Sequence, residues 1–573
     1  MQFKRVLWKQ VLRVGIFLLI AVGGSFAAVA TRSTTKSEKA TVGLPLRAFQ
    51  SDLFMGPRSC NICHVTDGTV LMTSDGEDVS MPTTWRSSMM ANAFHDPYYQ
   101  AIVSEEVKRR PALKEVIEDE CLRCHAPMGS TEYRYDQQKL DPPGDPHYSF
   151  AQARTDILAA DSVSCTLCHQ IQPDNLGEHA SFTGGFVIRD THEIFGPYDD
   201  VDPFFMESSV GFTPKFGAHK QESALCATCH TLLTPIFNDQ NVIVGEFPEQ
   251  TPFQEWKNSV YSSVGSAKSC QDCHMSRSDE PIIISNFPQG DPRLPFWRHT
   301  FEGSNVFMLT MLKNNIAELG LAANAEHFDR TIALTRKMLR EKSAILEIVK
   351  VEAAEGNLRV DVKITNLAGH KLPTGYPRRR AWIHFVARDR SNGAAFFESG
   401  SFDGNYEINN LAVPFEPHHD VITTSTQTQI YESLIGDSQG EIANHLLSAT
   451  QYLKDNRIPP KGFRLDGPDV NLTGIYGEAA NDPNFNHGPN GEGSGTDIVR
   501  YEFPLTIDPA NVQLDVEMLF QTIPPRHVNF LRQDPTPETQ AFLDKYDEMA
   551  NEPVLIARDT KFQIPPSELW TIY

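Results

Sequence analysis

The sequence lacks an excess of positive charge. It has 51 Lys and Arg residues against 73 Asp and Glu residues, which gives a formal net charge of −22 at pH 7 over 573 residues. Because a duplex nucleic-acid binder needs a basic face for the phosphates, we expect no nucleic-acid partner. A glycine-rich phosphate loop, a recognisable Ser/His/Asp order and a flavin or nicotinamide fingerprint are also missing. The commonest nucleotide-dependent and hydrolytic functions are therefore not predicted.

Long apolar runs are missing as well, except near the start of the chain. Residues 14–30 are apolar apart from Gly and one Ser, four cations precede them, and Ala28-Val29-Ala30 forms a small-x-small cleavage site. This arrangement is typical of a secretory signal peptide, here residues 1–30. An uncleaved anchor in the inner membrane is the alternative, since the run is close to the shortest membrane-spanning length of about 17 residues. We expect a periplasmic or extracellular protein.

No cysteine is left over for a disulfide framework. All ten cysteines occur in five Cys-x-x-Cys-His motifs, numbered 1 to 5 along the chain. This is the attachment signature of c-type haem, in which two thiols bond the porphyrin and the adjacent His binds the iron. Zinc or disulfide bridges would not require His after every pair. The sequence therefore predicts five covalently bound c-type haems. The attaching thiols are Cys60, Cys63, Cys121, Cys124, Cys165, Cys168, Cys226, Cys229, Cys270 and Cys273, and the proximal iron ligands are His64, His125, His169, His230 and His274.

The sixth iron ligand bears on function, because an electron carrier closes the iron with a second His or Met whereas an enzyme leaves a position open. His219 could fold back over a neighbouring haem, and His299 stands alone before a helical stretch. Met89 or Met90 could supply a thioether, although Met at helical spacing is more often core packing. The candidate distal ligands are His219, His299, His370, His192, His147, His95 and Met90.

Several stretches around and beyond the motifs follow a shared pattern. They are WRSSMMANAFHDPYYQA, DSVSCTLCHQIQPDNLG, GEFPEQTPFQEW, RHTFEG and NLAGHKLPTGYPRRRAW. They resemble a family of exported bacterial multihaem c-type cytochromes, similar to the tetrahaem cytochromes c of nitrifying bacteria. The resemblance covers most of the mature chain and implies covalent haem and electron transfer, without naming a substrate. Related carriers often have His where this chain has Met89 or Met90, so one distal ligand stays open.

The predicted fold class is mixed: a mainly helical and irregular multihaem domain, then helices and an all-β sandwich-like domain. Residues 31–300 hold the haem motifs, and residues 301–344 form a helical connector. Alternating apolar residues within 345–530 predict a β-sandwich, and residues 531–573 form a tail that packs on the body. The loop 366–380 could bring His370 to an iron while Lys371 and Arg378–Arg380 neutralise haem propionates. Alternatively, it is a solvated basic turn.

Two further segments of the sandwich contain possible metal ligands. His418-His419-Asp420 could bind a metal, but we expect this loop to be exposed. Residues 481–497 are rich in Asn, Asp and Gly, yet they lack the spacing of a known calcium loop.

The leading hypothesis is a non-enzymatic electron carrier acting between respiratory redox partners outside the cytoplasm. Its acidic surface predicts partners with basic docking faces, and an oligomer is possible. One alternative is a reductase of a small oxyanion, of the nitrite or hydroxylamine type, with one open haem and a basic funnel from Lys371 and Arg378–Arg380. Another is a subunit of a conducting haem filament.

Overall fold

The computed structural model describes residues 42–238 and 240–562. The predicted signal peptide or anchor lies outside these residues. Among the helices in the described ranges, none combines the length and the apolar character needed to cross a bilayer.

The region of the cysteine motifs consists of short helices joined by irregular chain. Its α-helices are α1 (Pro57–Cys60), α2 (Met81–Trp85), α3 (Pro97–Arg109), α4 (Lys114–His125), α5 (Pro127–Gln138), α6 (Phe150–Ala153), α7 (Ile157–Ala160), α8 (Cys165–Gln170), α9 (Phe204–Val210), α10 (Ser223–His230), α11 (Pro252–Lys257) and α12 (Cys270–His274). Three two-stranded sheets lie between them: β1 (Glu193–Gly196) with β2 (Thr213–Phe216), β3 (Leu232–Phe237) with β4 (Ile243–Gln250), and β5 (Arg277–Ser278) with β6 (Phe296–Trp297).

Motifs 2 to 5 lie on the helices α4, α8, α10 and α12, whereas motif 1 begins at the last residue of α1 and continues into a turn. The α-helix brings residues three apart onto one face, so both thiols of a motif point the same way. The last motif shows how the local sequence starts such a helix. Ser269 accepts a hydrogen bond from the backbone N–H of Asp272, whose carboxylate accepts one from the backbone N–H of Ser269. This capping box satisfies two N–H groups that a helix start otherwise leaves unbonded.

Two helices follow the motifs, α13 (Val306–Asn314) and α14 (Ala325–Lys342). They lie within the segment that the sequence predicts as helical. The side chain of Asn324 caps α14 by accepting from the N–H of His327. Three further helices occur later in the chain: α15 (Val470–Thr473), α16 (Pro525–Leu531) and α17 (Pro537–Asp547).

The second half of the chain contains two larger sheets. The strands of this half are β7 (Ala344–Ala354), β8 (Asn357–Asn366), β9 (Arg380–Asp389), β10 (Ala395–Ser399), β11 (Val421–Ile422), β12 (Ile430–Gly436), β13 (Gln451–Asp455), β14 (His487–Gly488), β15 (Gly491–Glu492), β16 (Thr496–Pro504), β17 (Val512–Gln521) and β18 (Val554–Phe562). One of the two larger sheets has the strand order β13-β12-β9-β17-β18, with β10 also pairing β9, and the other has the order β11-β16-β8-β7. Strands β14 and β15 form a separate hairpin.

The two larger sheets share one hydrophobic core, and we refer to these two sheets together as the sandwich. Val360, Phe385, Tyr501 and Val516 come from four different strands and are fully buried in it. The rings of Phe385 and Tyr501 stack with their centres 4.2 Å apart. The mixed fold class is therefore confirmed. The structure adds that β18, from the segment predicted as a tail, pairs antiparallel with β17 and extends the larger sheet.

The His418 loop differs from its expected exposure, because His418 is buried in a polar network. Its Nδ1 accepts from the amide groups of Gln429 (2.8 Å) and Asn456 (3.0 Å), so its proton resides on Nε2. Nε2 then donates to Asp482 Oδ2 at 2.9 Å. Both ring nitrogens are thus used, and a metal at Nε2 would have to displace that proton. We therefore interpret the cluster as a hydrogen-bonded core network.

Asp497, at the edge of this network, makes the sandwich sensitive to pH. Its fully buried carboxyl accepts from Tyr431 Oη at 2.7 Å, and burial raises its pKa to about 6. Because the folded pKa lies above the unfolded value, the stabilising contribution of the protonated form is lost as the pH rises from about 4 to 6.

We expect Asp497→Asn to become more stable than the native protein as the pH rises through this window, by at most about 3 kcal/mol. Urea unfolding at pH 4.5 and 7 would measure the difference. Asp466→Asn, at an exposed carboxylate, is the control. The prediction would be contradicted if the free energy of unfolding depended on pH equally in the native protein and in Asp497→Asn.

Candidate haem-binding site

A single cavity connects the five motifs. Its volume is about 1580 Å³, and it is lined by all ten motif cysteines and all five motif histidines. His299 and His370 line it too. Groups attached at the five motifs would therefore share one continuous space and form part of the interior themselves.

Four of the motif histidines are oriented by a backbone carbonyl. In each case Nδ1 is the hydrogen-bonded ring atom, which leaves Nε2 free to bind a metal. The bonds are His64 to Ile284 O (2.9 Å), His125 to Ala93 O (3.1 Å), His169 to Phe195 O (2.7 Å) and His274 to Glu302 O (2.6 Å). Burial lowers the pKa of His125, His169 and His230 to about 4. They are therefore neutral near pH 7, as a metal ligand must be.

Two motif histidines face a second histidine across the cavity. The ring centres of His169 and His299 are 6.3 Å apart with 15° between the planes, and those of His274 and His370 are 6.2 Å apart with 10°. A metal between two imidazole nitrogens, each at about 2.0 Å, would hold the ring centres about 6 Å apart. Both pairs therefore fit an iron bound from two sides. Nδ1 of His299 is bonded to Trp297 O at 3.1 Å and Nδ1 of His370 to Lys371 O at 2.9 Å, so Nε2 is free in both.

The structure does not bring His219 to this cavity. His219 is buried, and its Nε2 is bonded to Ile171 O at 2.9 Å. Its neighbour Lys220 lines the cavity instead, with Nζ bonded to Cys168 O. A different rotamer of His219 would be required for iron ligation, which stays a prediction.

The other predicted histidine ligands also use a ring nitrogen elsewhere. The bonds are His95 Nε2 to Ala160 O (2.8 Å), His192 Nε2 to Asp52 O (2.7 Å) and His147 Nδ1 to Asp145 Oδ1 (2.7 Å). None of these three is among the described residues that line the cavity. Met89 and Met90 do line it. Ligation by any of these residues stays a prediction.

Contacts between motif thiols define how the motifs are arranged in space, which the spacing in the sequence did not reveal. Three pairs of cysteine side chains from different motifs lie next to each other: Cys60 with Cys165, Cys124 with Cys229, and Cys226 with Cys270. Motif 1 therefore contacts motif 3, and motif 4 contacts motifs 2 and 5. Lys220, six residues before Cys226, joins motif 4 to motif 3 through its bond to Cys168 O. Motif 4 is thus central and motif 1 lies at one end.

The basic loop is used differently from the predicted funnel. Lys371 Nζ pairs with Asp455 at 2.7 Å and Arg380 pairs with Glu407 at 2.7 Å, and both cations are fully buried. Neither lines the cavity, so the prediction that they neutralise propionates or form a funnel is wrong. An isolated buried charge is destabilising, so Lys371 and Arg380 are buried where the carboxylates of Asp455 and Glu407 can pair with them. Of the four predicted cations, Arg379 alone lines the cavity.

The buried ions around Lys371 hold His370 in place. The backbone N–H of Lys371 donates to Glu255 Oε2 at 2.9 Å, and Glu255 belongs to α11 of the motif region. Arg457 pairs with Glu255 at 3.2 Å and with Asp455 at 2.7 Å. This cluster of Glu255, Lys371, Asp455 and Arg457 joins the sandwich to the motif region next to His370. Sequence reasoning missed Glu255, Asp455 and Arg457, since no spacing relates them.

Comparison with known proteins supports the fold. No protein-family model and no curated protein matches the chain. Among solved structures, the chain is similar to a penta-heme cytochrome c552 from Thermochromatium tepidum, with a TM-score of 0.50 and 16% sequence identity. The match covers 89% of this chain and 100% of that chain. The chain shares its overall fold with a pentahaem cytochrome.

Proposed function

We propose that this protein is an exported pentahaem c-type cytochrome that carries electrons between respiratory redox partners outside the cytoplasm. The observation that carries the proposal is the single cavity onto which five Cys-x-x-Cys-His motifs and two facing histidine pairs converge. Bound haem would supply one-electron chemistry. The similarity to a penta-heme cytochrome supports five haems, and the predicted signal peptide supports a periplasmic or extracellular location.

The residues of the chain favour electron transfer over substrate binding at motifs 3 and 5. The cysteines would attach the haems, and the pairs His169 with His299 and His274 with His370 would hold the two irons. Two histidines at an iron would leave no position for a substrate. Carbonyl bonds at Nδ1 keep the four rings oriented.

A reductase of a small anion is the second candidate, and one feature near motif 4 favours it. In the described chain, no second histidine stacks opposite His230. Arg379 and Tyr376 line the cavity, and Tyr376 Oη lies 3.3 Å from Tyr98 Oη. A cation and two phenols could bind and protonate a small oxyanion there.

A haem count and a spin-state measurement would separate the two candidates. We expect a pyridine haemochrome assay to find five haems per chain. Low-temperature EPR should show low-spin signals from the haems at motifs 3 and 5, each of which would have two histidine ligands. If all irons are low-spin and carbon monoxide changes no spectrum, the carrier function is supported. A high-spin haem that binds carbon monoxide would favour the reductase. Absence of covalent haem would reject both.

A further inference from the structure

Four large apolar side chains are exposed near motif 1. Their exposed fractions are 70% for Ile62, 64% for Phe204, 68% for Phe287 and 57% for Leu294. Exposed apolar side chains that cluster on one face commonly mark an interaction site, whereas scattered ones need no explanation. We call these four residues the motif-1 face.

The contacts between three chain segments place these residues on one side of the protein. The N–H of Asn286 donates to Cys63 O at 2.8 Å, which holds Phe287 near Ile62. The ring of Phe205 contacts both Phe204 (5.3 Å between centres) and Phe287 (6.0 Å). Tyr198 Oη donates to Pro295 O at 2.9 Å, which brings the segment after Leu294 to the same side. The face is therefore assembled by the fold.

The motif-1 face lies beside the cavity, at one end of the motif arrangement. Phe205 and Phe287 line the cavity together with Cys60 and Cys63, whereas Ile62, Phe204 and Leu294 do not. These last three side chains thus remain outside the space that the predicted haems would fill. The thiol contact of motif 1 leads inward to motif 3. An electron entering here would have a path to the other motifs.

Exposed acidic side chains occur in the same chain segments as Phe204, Phe287 and Leu294. Asp199, Asp202, Glu207 and Asp291 are exposed. The nearby cation Arg293 is bonded to both carboxylate oxygens of Asp200, at 2.5 and 2.7 Å, so it does not offset the others. The four carboxylates outnumber Arg58, an exposed cation beside motif 1, so the rim has a net negative charge. A partner that fits it carries positive charge around an apolar centre, because complementary rims speed association and apolar centres hold the complex.

We propose that the motif-1 face is the docking surface for a redox protein that presents a ring of Lys or Arg around an apolar centre. The proposal rests on the proposed carrier function and specifies where the partner binds and what its surface is like. Transient electron-transfer contacts are small, below about 1,200 Å² in total, which suits a face of this kind.

The test uses the holoprotein and a mitochondrial cytochrome c whose haem edge is ringed by lysines. Affinity is measured with the zinc-substituted, redox-inactive form, and the rate with the ferric form by stopped flow. The test variant is Asp199→Lys/Asp291→Lys. The control variant is Glu347→Lys/Glu355→Lys, at exposed carboxylates of the sandwich. Both variants change the net charge equally, so they differ only in where the charge changes.

At low salt we expect the affinity and the electron-transfer rate of the test variant to be about tenfold lower than those of the native protein, with a smaller dependence on salt. We expect the control variant to change much less. At high salt, Phe204→Ser should weaken binding and Phe562→Ser, an exposed control, should not. Equal effects of test and control variants would overturn the proposal. The proposal would also be overturned if light scattering showed that the native protein is a dimer and that Phe204→Ser is a monomer, because a second copy of the chain would then cover this face. Native binding without electron transfer would reject the carrier function and leave the docking face supported; absence of native binding would reject the docking proposal.

Discussion

Replacing His299 with methionine should raise the midpoint potential of one haem by on the order of 0.1 V, within the span of about 0.8 V that axial ligands set. A thioether stabilises reduced iron relative to imidazole, so the change has a known sign. His299 faces His169 with nearly parallel rings at 6.3 Å. A spectroelectrochemical titration would measure the shift. EPR would show the loss of one low-spin signal, that of the haem iron held by His169 and His299.

His179→Met is the matched control for this prediction. His179 is exposed, is not a predicted iron ligand, and its Nε2 is bonded to Glu246 Oε2 at 2.8 Å. We expect no change in any midpoint potential. If His299→Met leaves all the potentials and EPR signals unchanged, His299 is not a distal ligand.

Replacing Asp455 with alanine should lower the free energy of unfolding by about 3–5 kcal/mol, because it leaves Lys371 and Arg457 buried without their shared carboxylate. Asp455 pairs with Lys371 at 2.7 Å and with Arg457 at 2.7 Å, and all three side chains are buried. Chemical denaturation would measure the loss. Because Lys371 adjoins His370, the EPR signal of the His274–His370 pair should broaden or convert partly to high spin.

The control is Asp466→Ala, which removes an exposed carboxylate paired with Arg464 at 2.8 Å. Exposed pairs contribute at most about 1 kcal/mol, since water and salt screen them. Comparable losses in both variants would show that the buried cluster is not a special source of stability. A large loss of stability with an unchanged EPR spectrum would show that the cluster holds the sandwich but does not position His370.

The predicted distal ligands differ in whether the structure brings them to the cavity, and the difference has a physical reason. His299 and His370 were singled out from their local context, and both lie at the cavity opposite a motif histidine. The distance of His219 from Cys226 predicts a ligand, yet the His219 ring is bonded to Ile171 O. Distance along the chain restricts where a residue can lie, but the rotamer and its hydrogen-bond partner decide where the ring points.

The sandwich shows a similar contrast between pattern and packing. Alternating apolar residues predicted strands at 358–364 and 512–520, and these are β8 and β17. The sequence predicts a tail where the structure has the edge strand β18. The predicted exposure of the His418 loop failed, because Gln429, Asn456 and Asp482 come from distant segments and together satisfy the ring.

By itself the sequence determined the five Cys-x-x-Cys-His motifs, the mixed fold class and the net negative charge, because these depend on residue types, local spacing and composition. Only the tertiary structure decided which histidines face each other, which motifs touch, and that Lys371 and Arg380 are buried in ion pairs. These features join residues from distant parts of the chain, such as His169 with His299 and Glu255 with Lys371. Such contacts follow from how the segments pack together, and no local periodicity encodes them.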